Sequence, residues 1–461
     1  MRPDPSLKGK GHGKDENQVS AMPQAIFFAC AFLLNDLFSL AFRYLDWGKG
    51  LDRLLLLVVI AAFLIATRKI KITISLPRKF TYFIYAALGI LFLGYIGLIG
   101  YSVVSTAKTG VIRLDQGEAT FRAAIELLRG HNPYAKGALL DQATYFYLLQ
   151  KRVQLGVGPA VPPPQVQSVF DAYWRTLNPA LRTLLLPAPP PNNPAAALQT
   201  RILGYRYGLV ILAISTVLVP TFGPAAIPLE NAILTLGLLA IMIWILRLRH
   251  LEKPVIALAL LGVMLDVQIP WNFIYFTATD IWAIFFGFLA VGCLLNKKEP
   301  LAGIFFAASV CSKIFPGLIF AVVMLRFVSF RLLKYFFITL FILITPWLIW
   351  DTSGFLSNAI LFPFYMPLDS TSWSAFVPFK LSIIMHILLL LCAVYLISKI
   401  IFSQEKRWFY LMSLLTITVA AAAGEFHNNY VPWFSIWTVL SMTDWCGRED
   451  LNLQGVAPTS S

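Results

Sequence analysis

Two carboxylates, Asp115 and Glu118, lie three residues apart directly after a long apolar run of the chain. Residues three apart share one face of a helix, so the two acids are expected side by side. A carboxylate within hydrogen-bond reach of a hydroxyl can accept its proton, and a neighbouring acid can raise its pKa. Both residues are therefore candidates for general-base chemistry. The structural alternative is that Asp115 caps a helix and that Glu118 favours the helix dipole.

A second set of charges lies inside or beside apolar segments. Asp280 opens an apolar segment in TATDIWAIFF, and Lys313 separates two short apolar segments in ASVCSKIFPG. A charge at the bilayer centre costs about 2.5–3.5 kcal/mol on insertion scales, so each is expected to face protein or a cavity. Lys313 at a helix break, with Pro316 opening the next helix, predicts a phosphate site. The structural alternatives are a helix-dipole partner for Asp280 and a snorkelling side chain for Lys313.

A third polar group is the stretch GEFHNNYVPWF, which contains His427, Asn429 and Tyr430. It lies between two apolar segments, and we expect it at the outer membrane surface. Its aromatic residues alternatively form an interfacial belt. A lone histidine without a second ligand does not make a metal site, so no metal is expected here.

The composition is that of a membrane protein. Of the 461 residues, 58% are hydrophobic and 13% are charged, whereas soluble domains have about 45–50% and about 25%. The net charge of +14 comes from Lys and Arg in short segments between apolar runs, which is typical of cytoplasmic loops and argues against nucleic-acid binding. The sequence has no P-loop, so an ATP-driven pump is not expected. The pattern predicts an all-α polytopic protein. The loop charges favour the cell inner (plasma) membrane, and an organelle membrane is the open alternative.

Apolar segments of spanning length follow one another along most of the chain, and we predict about 11–14 transmembrane helices, the first two at 21–42 and 51–67. The chain is predicted to begin with a disordered cytoplasmic tail at 1–20 and N-terminal spans at 21–104. An outer (periplasmic) loop with amphipathic helices follows at 105–202, then a transmembrane bundle at 203–445 and a cytoplasmic tail at 446–461. The basic segments between spans are expected in the cytoplasm.

The charge rule and the number of crossings disagree at one place. Two crossings after the outer loop, at 203–221 and 229–247, would place the basic segment 247–253 outside. The positive-inside rule places the same segment in the cytoplasm. We keep the charge rule, and the sequence leaves the path through 178–200 open.

The segment DQGEATFRAAIELLRGHNPY, residues 115–134, resembles the first outer loop of the GT-C superfamily of polyprenol-phosphate-sugar-dependent membrane glycosyltransferases. The resemblance is to members near glycosyltransferase family 87 and the protein-mannosyltransferase-like group. Three features carry the resemblance: an Asp after an early span, an Ala-rich helix and a Leu-Leu-x-Gly-x-Asn-Pro-Tyr motif. The later segments AGIFFAASVCSKIFPGLIF and HNNYVPWF follow in the implied order. Phe121 stands where many members have an acid.

The resemblance implies a GT-C-like bundle and an enzyme that transfers a hexose, with mannose the expected sugar, on the outer face of the membrane. The donor would be a sugar on a polyprenyl phosphate, and the acceptor a hydroxyl of a lipid, glycan or protein. Asp115 would be the general base, with Glu118 beside it, and Lys313 would bind the donor phosphate. The implied substrate-binding residues are Asn132, Tyr134, Asp280, His427, Asn429 and Tyr430. Neither a metal nor a cofactor is expected.

Two other functions fit the same sequence. A transporter or flippase of lipid-linked sugar would share the intramembrane charges and the broken helices, but it needs its polar groups near the midplane. A non-catalytic assembly subunit has no need to bring Asp115, Asp280 and Lys313 together in space. The placement of these three residues therefore discriminates between the hypotheses.

Overall fold

The computed structural model describes residues 78–113, 115–135, 205, 207–361, 379–402, 407–422 and 430–441, and within them the regular structure is helical. The predicted spans at 21–42 and 51–67 lie outside the described residues. The described α-helices are α1 (Arg78–Thr109), α2 (Asp115–Leu128), α3 (Leu209–Phe222), α4 (Ala226–Leu248), α5 (Lys253–Leu265), α6 (Asp280–Leu295), α7 (Glu299–Ser312), α8 (Ile314–Arg326), α9 (Phe330–Phe355), α10 (Phe379–Phe402), α11 (Trp408–Ala422) and α12 (Val431–Ser441).

Several described segments have the character of membrane helices. Three are long and apolar enough to span a bilayer, at Lys79–Thr109, Leu209–Leu248 and Phe330–Phe355, and shorter apolar helices of 10–17 residues accompany them. Helices α1, α9 and α10 expose large apolar side chains, among them Leu93 and Phe341. Exposed apolar faces of this extent are stable when lipid is the solvent. The structure thus supports an all-α membrane protein, and the number of crossings stays a prediction.

The chain turns back on itself at Lys313, between α7 and α8. The backbone is extended there, with φ −158° and ψ 123°, so α8 returns along α7. The ring of Phe320 in α8 lies 5.0 Å from the ring of Phe288 in α6, and Lys313 contacts Asp280 at the start of α6. These contacts place the start of α6 and the α7–α8 junction at one end of the bundle, here called the Lys313 end. The turn at 296–298, between α6 and α7, lies at the opposite end, here called the basic end.

Helix α2 also begins at the Lys313 end, because Gln116 accepts hydrogen bonds from Thr279, the residue before α6. Both ends of α3 lie at this same end. Gly208, directly before α3, packs against the backbone carbonyl groups at the end of α7. Ile227, at the start of α4, packs against Gly117 of α2. Helix α3 therefore packs along α2 instead of crossing the bundle.

A single crossing, α4, then connects the Lys313 end to the basic segment 247–253. Arg249 lies over the ring of Phe409 at 5.6 Å, and the adjacent Trp408 packs on Phe327 just after α8. The segment 247–253 is thus at the basic end, together with the turn at 296–298, and the cytoplasmic location of this end stays a prediction. The packing of α3 along α2 favours a path in which α3 is not a separate crossing, and the number of crossings in this part of the chain stays a prediction.

Gly303 lets α7 approach α9 closely. A Cβ atom at Gly303 would meet the carbonyl oxygen of Leu332 and would lie 2.9 Å from the backbone nitrogen of Phe336. We expect Gly303→Ala to lower the free energy of unfolding by about 1–3 kcal/mol, because the methyl group has to displace backbone. Thermal or denaturant unfolding of the detergent-purified protein measures this change.

Gly97 of α1 supplies the matched control, since a Cβ there would have nothing within 4 Å. Gly97→Ala is expected to be neutral or to stabilise the protein by up to about 1 kcal/mol, because alanine loses less backbone entropy in a helix. Equal destabilisation by both substitutions would contradict the close α7–α9 packing.

Candidate functional site

Lys313 and Asp280 form an ion pair where the α7–α8 junction meets the start of α6. Lys313 Nζ donates to Asp280 Oδ2 at 2.7 Å. The Asp280 side chain is 0% exposed and that of Lys313 is 19% exposed. The indole nitrogen of Trp433 donates to the other carboxylate oxygen at 3.0 Å. Both oxygens have donors and the acid is fully buried, so Asp280 holds Lys313 in place; its contact with substrate stays a prediction.

The local sequence explains this arrangement. Asp280 is the first residue of α6, where the helix dipole favours a negative charge. Lys313 interrupts the helix between α7 and α8, and the first N–H groups of the following helix lack partners within that helix. Lys313 Nζ also lies 5.9 Å from the ring centroid of Tyr207. The junction thus combines a cation with a helix start, which is the combination predicted for a phosphate site.

The start of α2 lies directly beside the ion pair. Gln116 Oε1 accepts from the backbone N–H of Thr279 at 2.9 Å and from its hydroxyl at 2.8 Å. Gly117 packs against Thr277, so a larger residue would not fit there. Asp115 belongs to the first turn of α2, and its side chain lies outside the described part of the structure. The backbone that carries Asp115 is therefore at the Lys313 end.

Glu118 lies on a different face of α2. Two residues along a helix correspond to a rotation of about 200°, so Glu118 is on the face away from Gln116. Its carboxylate accepts from Arg122 Nε at 3.2 Å, and its side chain is 14% exposed. Burial raises the pKa of Glu118, and the hydrogen bond from Arg122 opposes this rise. A raised pKa suits proton transfer, but the position does not bring Glu118 towards Thr279, and its catalytic role stays a prediction.

The Asn132-Pro133-Tyr134 turn is buried. Asn132 Oδ1 accepts from the backbone N–H of Tyr134 at 3.0 Å, which is an Asx turn. The Tyr134 hydroxyl donates to the carbonyl of Tyr207 at 3.0 Å, and its ring packs on Trp347 and Phe355 of α9 at 4.9 and 5.2 Å. Burial raises the pKa of Tyr134 well above its usual range. Tyr134 is 0% exposed and Asn132 9% exposed, so the turn anchors the segment after α2, and its contact with substrate stays a prediction.

Tyr430 lies at the edge of the site, directly before α12. Its ring packs on that of Trp433 at a centroid distance of 4.3 Å, and the same indole donates to Asp280. Tyr430 is thus close to the ion pair through one intervening side chain. His427 and Asn429, which the sequence predicted beside it, lie outside the described residues.

Sequence reasoning missed two buried polar groups in α4. Ser215 Oγ donates to Glu230 Oε2 at 2.7 Å, and Trp282 Nε1 donates to Asn231 Oδ1 at 3.2 Å. Asn231 also donates to two backbone carbonyls of the segment before α6, so it fixes that segment. The signal was the adjacent Glu230 and Asn231 in an otherwise apolar run.

A narrow crevice lies one turn beyond the ion pair, between α6, α8, α11 and α12. Its lining is mostly apolar and includes Ile284, Pro316, Ile319 and Trp437. Among the described residues, His, Cys, Asp and Glu form no group of three or more that could hold a metal ion. The arrangement therefore offers a cation, a helix start and apolar walls at one place.

Comparisons with known proteins add no family to this picture. A scan against protein-family models gives no match, and searches of curated proteins and of solved structures find no significant match. The site geometry and the resemblance of residues 115–134 are the basis for a functional proposal.

Proposed function

We propose that the protein is a membrane glycosyltransferase that moves a hexose, with mannose the expected sugar, from a polyprenyl-phosphate donor to an acceptor hydroxyl. Asp115 is the general base and Lys313 the phosphate-binding cation. The observation that carries the proposal is the contact of Gln116 with Thr279, which holds the start of α2 beside the Asp280–Lys313 pair.

The two groups have to be close for a chemical reason. The acceptor oxygen attacks the sugar carbon from which the phosphate departs, so a base and a phosphate-binding group must flank one carbon atom. As the bond to the phosphate breaks, negative charge grows on its oxygens. A cation that is already in position stabilises this charge without reorganisation. The position of Asp115 in the first turn of α2 supports the pairing of these roles.

The ion pair suits Lys313 for this role. An ammonium group has three N–H donors, and one of them is directed to Asp280. The side chain of Lys313 is partly exposed, whereas Asp280 is not. Asp280 thus holds the ammonium in place and leaves donors for a phosphate.

The rival functions make different demands on the same residues. An assembly subunit does not require the start of α2 to meet an intramembrane ion pair. A transporter or flippase needs polar groups near the midplane, but it has no need of the Gln116–Thr279 contact that holds the start of α2 beside the ion pair. Both observations favour transfer chemistry.

The test is an assay of the purified protein in nanodiscs with short-chain polyprenyl-phosphate hexoses and a panel of hydroxyl acceptors. We expect a labelled hexose to pass to an acceptor while polyprenyl phosphate is released. The same protein in liposomes, with donor in one leaflet, tests the rival. Movement of intact donor between leaflets without sugar release would show a flippase, and a folded protein with neither activity would overturn the proposal.

A further inference from the structure

Arg113, just beyond the end of α1, lies against a stack of aromatic rings. Its guanidinium carbon is 4.4 Å from the ring centroid of Tyr275 and 5.3 Å from that of Tyr101. The ring of Trp271 stacks on Tyr275 at 4.4 Å, with 12° between the planes. We infer that Arg113 and this aromatic stack bind the headgroup phosphate of an anionic phospholipid. The inference does not depend on the proposed transfer reaction.

The contacts of Arg113 leave hydrogen-bond donors for a ligand. A guanidinium has five N–H donors in one plane, and here Nη2 donates to Ser105 Oγ at 2.9 Å. Aromatic rings cover the face of the group and leave the donors at its edge accessible. In the part of the chain that the structure describes, none of the ion pairs includes Arg113. A fixed guanidinium that pairs with no carboxylate among the described side chains matches the paired oxygens of a phosphate.

The position identifies the phosphate as that of a bilayer lipid. Tyr101, Val104 and Ile96 of α1 are 56%, 50% and 43% exposed, and Tyr101 also contacts Arg113. The exposed apolar surface of α1 thus continues to the cation. Tyrosine, tryptophan and basic side chains are typical of the level at which headgroups lie. An acyl chain along α1 with its headgroup phosphate at Arg113 satisfies both features, which a free phosphate would not.

Lys108 adds a second cation near this site. It lies in the last turn of α1, three residues after Ser105 and therefore on the same side of the helix. Two positive charges at this position favour an anionic headgroup over a zwitterionic one. Because Tyr275 belongs to the segment that leads into α6, a bound lipid would also stabilise the approach to Asp280.

The experiment compares wild type with Arg113→Gln and with the control Arg129→Gln, which removes the same charge from an exposed side chain on the residue after α2. Detergent-purified proteins are titrated with phosphatidylglycerol and with phosphatidylcholine, and bound lipid is counted by native mass spectrometry. Wild type should prefer phosphatidylglycerol. Arg113→Gln should weaken its binding by about five- to tenfold, as expected for one interfacial cation, and Arg129→Gln should leave it unchanged.

A conservative variant and two competitors complete the test. Arg113→Lys keeps the charge but loses the planar fork, so its affinity should fall between those of wild type and Arg113→Gln. The inference would be overturned if Arg113→Gln and Arg129→Gln lost phosphatidylglycerol affinity equally, or if wild type showed no preference between the two lipids. Displacement of phosphatidylglycerol by inorganic phosphate or by a polyprenyl monophosphate, in wild type but not in Arg113→Gln, would assign the site to that ligand and also overturn it.

Discussion

Asp115→Asn should lower the rate of hexose transfer by about 10²–10⁴-fold, the usual contribution of a general base. Asparagine has a similar size to aspartate but cannot accept the acceptor hydroxyl's proton. Donor binding should change little, because in the proposal the donor phosphate is bound by Lys313. The measurement is kcat with a polyprenyl-phosphate hexose, together with donor affinity from equilibrium binding.

Glu126→Gln is the matched control on the same helix. Glu126 accepts from His131 at 2.8 Å and from Arg129 at 3.0 Å. The hydrogen bond from His131 lowers the pKa of Glu126, more than burial raises it, so this acid is a poor proton acceptor and the variant should keep the wild-type rate. Full activity in Asp115→Asn would remove the base assignment while the transfer reaction stands. If only Glu118→Gln greatly lowered the rate of hexose transfer, Glu118 would be assigned as the base in place of Asp115.

Removal of either charge from the Asp280–Lys313 pair should destabilise the protein by about 3–5 kcal/mol, because a buried partner is left without its counter-charge. Lys313→Met should have the larger effect, since it leaves the fully buried Asp280 carboxylate uncompensated. Asp280→Asn keeps an acceptor for Trp433 and leaves a partly exposed ammonium. Its destabilisation should therefore be at the lower end of this range of about 3–5 kcal/mol. Denaturant unfolding in mixed micelles measures each change.

The double variant separates a true pair from two independent residues. Asp280→Asn with Lys313→Met should be destabilised by less than the sum of the single variants, with a coupling free energy above about 1.5 kcal/mol. The i,i+4 helix pair of Glu118 and the exposed Arg122, studied by the same cycle, should give about 0.3–0.5 kcal/mol. Additive effects at Asp280 and Lys313 would mean that their contact contributes nothing to stability.

The sequence predicted where these charges lie along the chain but not that they meet. The helix break at Lys313 and the helix start at Asp280 can be read locally, because proline, apolar runs and isolated charges mark them. Their contact joins residues 33 positions apart, and it depends on how α8 packs on α6. Periodicity within one segment carries no information about that packing.

Two predictions went beyond what local sequence can decide, for the same reason. The Asn-Pro-Tyr turn at 132–134 was expected at the substrate, but such a turn has the same sequence whether it binds a ligand or anchors a loop; the rings of α9 that bury Tyr134 come from a distant part of the chain. The apolar run at 203–221 was expected to cross the membrane. Hydropathy records that a segment avoids water, and not whether it is surrounded by lipid or packed along another helix as α3 is along α2.

The lengths of α6, α7 and α8 set the depth of the ion pair. They have 16, 14 and 13 residues, which at about 1.5 Å per residue gives roughly 24, 21 and 20 Å. The hydrocarbon layer is about 30 Å thick. With the turn at 296–298 among the headgroups of one leaflet, the Asp280–Lys313 pair lies roughly 6–10 Å below the headgroups of the other. In the proposed transfer, a lipid-borne phosphate would reach it only where the bilayer thins or water enters, so we expect the rate to depend on membrane thickness.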